Sequence, residues 1–351
     1  MRDFIARHVA IDEPELTVVS VWAMHTWLFA PQCKPPATTP YLYITAAKGS
    51  GKTLLGQDVL GAIVRAPINT VGITGPGLVR IVGGVSDDDD TEVNAVSVMP
   101  TLTIDEVDAL YSGAKDESLR MMLNAGYRRG GTVPRVSGSR VIHYNAFCPK
   151  ILMGIDNGHL PDTVTDRAIR IELQQASPEQ MLTIEPFYYE DIEEEAAELS
   201  ERLASWAQFH SESINAYRPE PVPRLRPRQW EIARTLVRVA HAVGNERQVR
   251  DALADLLTRS HAADPKSKMY GAIADALGDS DRISTADVLA ALQAAGVSVP
   301  GNNGKGLSAA IVRDGGKGAV AVRMSDGKVM RGFYRYHFDV PFSKYLEHES
   351  E

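Results

Sequence analysis

Between residues 14 and 29 the apolar side chains Leu16, Val19 and Trp22, or Val18, Trp22 and Leu28, recur at near-helical spacing behind Asp12 and Glu13, which predicts a core-packing helix. The next ten residues, PQCKPPATTP (31–40), contain four prolines and cannot continue it. YLYIT (41–45) then reads as a short buried strand, followed by a Gly-rich turn and the helical stretch TLLGQDVLGAIV. APINTVGIT (66–74), PTLTIDE (100–106), PKILMGI (149–155) and RAIRIEL (167–173) are further apolar runs of strand length, set apart by helix-length segments. Strands alternating with helices predict a mainly parallel sheet covered on both faces, an α/β fold.

From 178 to 258 the pattern turns helical, through PEQMLTIEPFYYEDIEEEAAELSERLASWAQFH, PRQWEIARTLVRVAHAVG and NERQVRDALADLLTRS. HAADPKSK (261–268) reads as a loop, after which MYGAIADAL resumes helical spacing. Residues 282–338 change character. RISTADVLAALQAAG opens on a Ser284 or Thr285 cap, PGNNGKG turns the chain into the helix LSAAIV, and AVAVRMSDGKVMRGFYRY forms two strand-like runs around Asp326 and Gly327. Helix, turn, helix, hairpin is a winged-helix pattern. The layout is an N-terminal helical segment (1–40), an α/β core (41–175), an all-α region (176–278), a small winged-helix-like domain (282–346) and an acidic tail (347–351).

Composition adds exclusions rather than identity. With 44% apolar and 23% charged residues the chain is ordinary globular protein, neither collagenous nor wholly disordered. Cys33 and Cys148 stand far apart without a C-x-x-C, so no disulfide framework or cysteine zinc site is encoded, and a reducing cytoplasm is expected. The start, MRDFIARHVAIDEPEL, has acids where a signal peptide needs an apolar stretch, and the chain is expected neither exported nor membrane-spanning. The net charge of −8 argues against coating nucleic acid with the whole surface, but its distribution is uneven. Residues 118–155 carry Arg120, Arg128, Arg129, Arg135, Arg140 and Lys150 with no acid, and 300–338 carry seven Lys or Arg against Asp314 and Asp326. Acid gathers in SDDDDTE (86–92), read as a solvated loop, and in EDIEEEAAELSE (190–201).

The sharpest local signal is AAKGSGKT (46–53), after a strand and before a helix. A phosphate chain calls for inward backbone N–H groups from a loop of small residues, a helix N-terminus, a lysine and a hydroxyl for Mg²⁺. Gly49, Ser50, Gly51, Lys52, Thr53 and Leu54 supply that cradle, with Lys52 on the phosphates and Thr53 on the metal, although Ala46 stands where the full pattern has glycine. G-K-T by itself also suits an ordinary surface turn. PTLTIDEVD carries Asp105 and Glu106 to the C-terminal end of a strand, where ligands bind in open parallel sheets. Asp105 is expected to hold Mg²⁺ through water and Glu106 to polarise the attacking water, although taken alone such a pair also suits a capped turn.

Three more positions carry chemistry with alternatives open. Asn157, after the strand KILMGI, is either a water-sensing residue or the start of a loop. Arg167, at the start of RAIRIEL, is either a finger reaching a neighbouring subunit's phosphate or one half of an ion pair with Asp162 or Asp166. Arg128, Arg129, Arg135 and Arg140 suit a mobile loop that grips DNA phosphates, with Tyr127 or Tyr144 stacking on bases, or a solvated loop in which Arg128 or Arg129 serves the nucleotide. His25 and His241 read as ordinary helix residues.

The order WAMHTW, TPYLYITAAKGSGKT, PTLTIDEVD, LNAGYRRGGTVPR, FCPKILMGI, LPDTVTDRAIRI and RPRQWE resembles actinobacterial phage and prophage P-loop ATPases of helicase-like or primase-associated type. The resemblance covers almost the whole chain. It implies an AAA+/RecA-like core, a helical lid over 176–278 and a DNA-binding-like tail, with Arg228 of RPRQWE as a nucleotide-sensing arginine and Arg226 as its rival. The expected activity is an oligomeric ATPase, a ring or hexamer, that uses ATP and Mg²⁺ to move or remodel DNA in phage replication. Helicase loading, remodelling of a replication protein, or a nucleotide-gated assembly switch are the alternatives. In the last domain Arg323, Lys328 and Arg331 are the expected duplex contacts, or the basic face of an adaptor.

Overall fold

In a computed structural model of the chain, residues 1–46, 49–83, 99–107, 117–137, 140–155, 160–262, 265–297, 299, 303–324 and 327–346 are described. They fall into two compact units, Met1–Thr258 and Arg259–Glu351. No helix among the described residues is long and apolar enough to cross a membrane.

The first unit is built on strands β1 (Tyr41–Ala46), β2 (Pro67–Val71), β3 (Thr101–Asp105), β4 (Thr132–Ser137), β5 (Arg140–Asn145), β6 (Lys150–Gly154) and β7 (Ala168–Leu173). Five of them form one parallel sheet in the order β2-β3-β6-β1-β7. β6 is buried along its whole length and β1 along all but its last residue, which is why both read as unbroken apolar runs. Their alternate side chains feed two cores. Leu42, Ile44, Ile151, Met153, Ile169 and Ile171 join one layer of helices, and Tyr41, Tyr43, Leu102, Ile104 and Leu152 join the other.

The helices of this unit are α1 (Arg2–His8), α2 (Glu13–Thr26), α3 (Leu60–Ile63), α4 (Gly75–Gly83), α5 (Glu117–Ala125), α6 (Asp162–Thr165), α7 (Pro178–Met181), α8 (Tyr189–Ala216), α9 (Pro227–Ala242) and α10 (Glu246–Ala262), the last crossing the unit boundary. The π-wound turns Leu54–Val59 lead into α3. Trp22 of α2 is fully buried, as its spacing predicts, and its Nε1 donates to the Pro40 carbonyl at 2.8 Å. His25 is also buried, hydrogen-bonded to Trp22 O and, at 2.8 Å, to Thr39 Oγ1, and burial pushes its pKa down to about 4. Ile214 of α8, Leu236 of α9 and Leu253 of α10 share the core of Ile44 and Met153, so these helices lie against the sheet layer rather than around a core of their own.

Two segments differ from their sequence expectation. The arginine-bearing stretch after α5 is an antiparallel hairpin, β4 paired with β5, with Val136 opposite Val141. Gly, Ser and Arg mask the β-branched residues Thr132, Val133, Val136, Val141 and Ile142 that form it. At its base Lys150 is fully buried, and its ammonium donates to the carbonyls of Ala146 at 2.8 Å, Cys148 at 3.1 Å and Gly126 at 3.4 Å while lying 5.1 Å from the Tyr41 ring. Burial lowers its pKa.

The second difference concerns PKSK (265–268), which the sequence joins to a loop but which opens one helix with MYGAIADAL. That helix is α11 (Pro265–Leu277), whose Tyr270, Ile273 and Leu277 pack with Ile283, Leu292, Leu307 and Phe333 in the core of the second unit. That unit continues through β8 (Arg282–Ser284), α12 (Thr285–Ala294), α13 (Gly304–Arg313), β9 (Val320–Arg323), β10 (Val329–Tyr334) and α14 (Asp339–Tyr345). Its three strands pair antiparallel in the order β8-β10-β9. Ser284 caps α12, accepting from Asp287 N at 3.1 Å.

Candidate functional site

The C-terminal edge of the parallel sheet gathers the Gly-rich loop and the paired acids. β1 ends at Ala46, and Gly49 and Gly51 then take φ of +85° and +79°, conformations that L side chains rarely adopt. Between them Ser50 is buried and its Oγ has no hydrogen-bond partner. The helix starts at Lys52, and Leu55 N donates to Gly51 O at 2.8 Å to close the first turn. A helix start leaves backbone donors unpaired, so loop, orphan hydroxyl and Lys52 together suit a polyanion. Gly56 packs this helix onto the sheet: a Cβ there would stand 2.2 Å from Met153 Sδ and 3.3 Å from Ile44 Cδ1.

Asp105 closes β3. Its Oδ1 accepts the Glu106 N–H at 2.8 Å, and its Oδ2 accepts from Gln57 Nε2 at 3.0 Å. Gln57 follows Thr53 by four residues, on the same side of the helix, so the contact sets Asp105 beside the Thr53 face. Gln57 is a site residue the motifs did not reveal. Its one signal is an amide beside Asp58, the two polar residues in the run LLGQDVLGAIV. Glu106 is exposed and has φ +54°, a left-handed backbone that costs a non-glycine residue about 1–3 kcal/mol and that clusters at working sites. β6 runs between β1 and β3, and its C-terminal end faces the gap between loop and acids. Asn157, three residues beyond it, lies outside the described residues, as does SDDDDTE. No group of three or more His, Cys, Asp or Glu among the described residues forms a closed metal site, so Thr53 and Asp105 offer two oxygens and a bound phosphate would have to complete the shell.

Arg167 and Arg228 are not at this edge. Arg167 O accepts from Tyr41 N at 2.9 Å, at the N-terminal end of β1, a strand length of roughly 16 Å from Ala46. Its guanidinium donates to the Thr163 carbonyl and lies 4.8 Å from the centre of the Tyr127 ring. Arg228, in the first turn of α9, lies 4.6 Å from the same ring and donates to Tyr127 Oη at 2.8 Å and to Glu231 Oε2 at 2.5 Å. Arg128 joins from 5.2 Å and pairs with the other Glu231 oxygen. Burial works against the Glu231 carboxylate, but hydrogen bonds from Arg128 and Arg228 outweigh it and hold its pKa below the usual range. Arg226 occupies the α9 N-cap, its N–H donating to Gln229 Oε1 at 2.9 Å.

The basic residues expected to meet DNA divide. Arg129 donates to the Pro35 carbonyl at 2.9 Å and Arg128 is engaged with Glu231, whereas Arg135 and Arg140 stand near the hairpin tip beside the exposed Val136 and Val141. In the second unit Arg323, Lys328 and Arg331 are exposed on and around the β9–β10 hairpin. Arg335 instead clamps the turn before β8, donating to the Gly278 carbonyl and, at 3.1 Å, to that of Ser280.

Residues 175–345 are similar to a family described as protein of unknown function (DUF3631). That stretch runs from before α7 to the end of α14 and leaves out the sheet that carries the Gly-rich loop. No curated protein matches the chain.

Proposed function

We propose that the chain is an oligomeric AAA+-like P-loop ATPase that couples ATP hydrolysis to moving or remodelling DNA during phage or prophage replication in the host cytoplasm. The observation that carries this reading is the Gln57–Asp105 hydrogen bond, which sets the acid of β3 against the helix of the Gly-rich loop, across the intervening β6. Lys52 neutralises the terminal phosphates and Thr53 and Asp105 hold the cation, while Glu106 orients water for attack. When bound, Mg²⁺ spreads the charge of the phosphate oxygens. The unpartnered Ser50 Oγ and the left-handed glycines support the fit of a phosphate chain.

The element order α11, β8, α12, α13, β9, β10 supports a winged-helix reading of the second unit, with α13 as the helix presented to a groove and Arg323, Lys328 and Arg331 near the backbone phosphates. The exposed pair Val136 and Val141 at the hairpin tip favours a second reading, in which the target is a protein and the ATPase loads or remodels a replication factor. DNA-stimulated ATP turnover separates the two. For the ATPase itself, Lys52→Ala is expected to lose nucleotide binding and Glu106→Gln to bind ATP yet stop hydrolysis. Wild-type turnover in Glu106→Gln overturns the assignment.

A further inference from the structure

We propose that Arg238, with Arg234 beside it on α9 and Arg218 just beyond the end of α8, forms a second anion site, separate from the Gly-rich loop, that takes a small phosphate dianion. The site stands independently of the ATPase reading.

Arg238 is only 8% exposed, and its Nε is buried without a hydrogen-bond partner. Arg234 precedes it by four residues on α9, a spacing that sets side chains about 5–6 Å apart on one face, and its Nε is likewise buried and unpartnered. Arg218 is exposed and tied to the end of α8, its guanidinium donating to the carbonyls of Asn215 at 2.6 Å, Ala216 at 2.7 Å and Tyr217 at 3.0 Å. The connector 31–40 links the two helices here. Lys34 O accepts from Asn215 Nδ2 at 2.8 Å, and Thr38 O accepts from Thr235 Oγ1 at 2.9 Å.

Among the described residues no carboxylate forms an ion pair with Arg218, Arg234 or Arg238. Glu231, one turn before Arg234, is engaged by Arg128 and Arg228 instead. Burial lowers the Arg238 pKa to about 10, and the charges of Arg234 and Arg218 push it the same way. A buried cation without a counter-charge is costly. Lys150, fully buried at the start of β6, meets that cost with three carbonyls, and Nε of Arg238 has no acceptor at all. A buried polar group left unpaired beside like charges calls for an ion. Planar guanidiniums meet the oxygens of a tetrahedral anion in pairs, which makes phosphate the matching chemistry. A guanidinium buried this deeply is reached by a small free anion and not by a nucleic-acid backbone.

Thermal unfolding of the full chain carrying Lys52→Ala, which removes the cation of the Gly-rich loop, tests the site with inorganic phosphate against chloride at matched ionic strength. Phosphate at about ten times its dissociation constant is expected to raise the melting temperature by about 3 °C, and chloride is not. Adding Arg238→Met, which keeps an unbranched apolar stem, is expected to abolish the phosphate response. Without phosphate that variant should melt no lower than its parent, because an uncompensated buried charge has gone; a purely structural arginine would melt lower and leave the response in place. A phosphate response that survives Arg238→Met, that chloride reproduces, or that is absent from the start overturns the proposal. A response seen in the wild type and lost with Lys52→Ala alone places phosphate in the Gly-rich loop, so this site falls while the nucleotide reading gains. Should Arg238→Met fail to fold, Arg234→Met carries the same test, with phosphate binding expected to weaken by about tenfold or more; unchanged binding there overturns the proposal as well.

Discussion

Gln57 Nε2 donates to Asp105 Oδ2 at 3.0 Å, so the amide of one helix residue fixes the orientation of the carboxylate that ends the neighbouring strand but one from β1. Groups that orient a metal-holding side chain change metal affinity by about 10–100-fold when removed. Gln57→Leu is therefore expected to shift the Mg²⁺ dependence of ATP turnover to at least about tenfold higher concentration, with turnover at saturating Mg²⁺ largely recovered. An unchanged Mg²⁺ titration would show that Asp105 keeps its position without the amide.

Gly56→Ala puts a methyl group against Met153 Sδ, with Ile44 Cδ1 on the other flank. Overpacking of this kind costs about 1–3 kcal/mol, measurable as a lower urea midpoint. Met153→Ala in the same chain opens the space, so the double variant is expected to lose less than the two single losses combined. Strict additivity would mean the helix shifts instead of the sulfur.

His25 links stability to acid. Its folded pKa is lowered to about 4 from an ordinary value near 6.5, so between those values the unfolded chain binds a proton that the folded chain refuses. Stability is thus full above about pH 6.5 and falls as the pH drops toward 4, by about 3 kcal/mol from this one group. His25→Gln should flatten the stability curve over that window, read by urea unfolding at a series of pH values. A slope equal to that of the wild type would assign the acid sensitivity to other residues.

Arg135 and Arg140 stand near the tip of an exposed hairpin. If both meet single-stranded DNA phosphates, replacing the two by alanine lowers the slope of log affinity against log salt by about 1.4, at about 0.7 per contact. Affinity should drop alike for unrelated sequences. Salt dependence that does not move removes the hairpin arginines from the DNA path and leaves its valine pair facing a protein.

The central strands were legible because β1, β3 and β6 are buried along nearly their whole length and read as short runs of apolar residues and threonine between turn signals. Lys52, Thr53, Asp105 and Glu106 were legible because the loop and the strand end are local patterns. The hairpin was not, because Val136 and Val141 point into solvent and their neighbours are glycine, serine and arginine, the composition of a loop. Gln57 belongs to no motif and gains its role from a residue 48 positions away. Arg228 illustrates the deeper limit: its neighbours Tyr127 and Arg167 lie on other elements, and only the direction of β1 and β7 reveals which edge of the sheet they share.

The buried ammonium of Lys150 has a mechanical consequence. Its acceptors bracket the hairpin, Gly126 before β4 and Ala146 after β5, while the lysine itself is the first residue of β6. Swinging the hairpin away from the sheet would part this buried donor from its carbonyls and leave buried polar groups unpaired, which is costly. The opposite end of β6 faces the gap between the Gly-rich loop and Asp105. Lys150 thus staples both feet of the hairpin to the start of β6, so that hairpin and strand keep one fixed orientation.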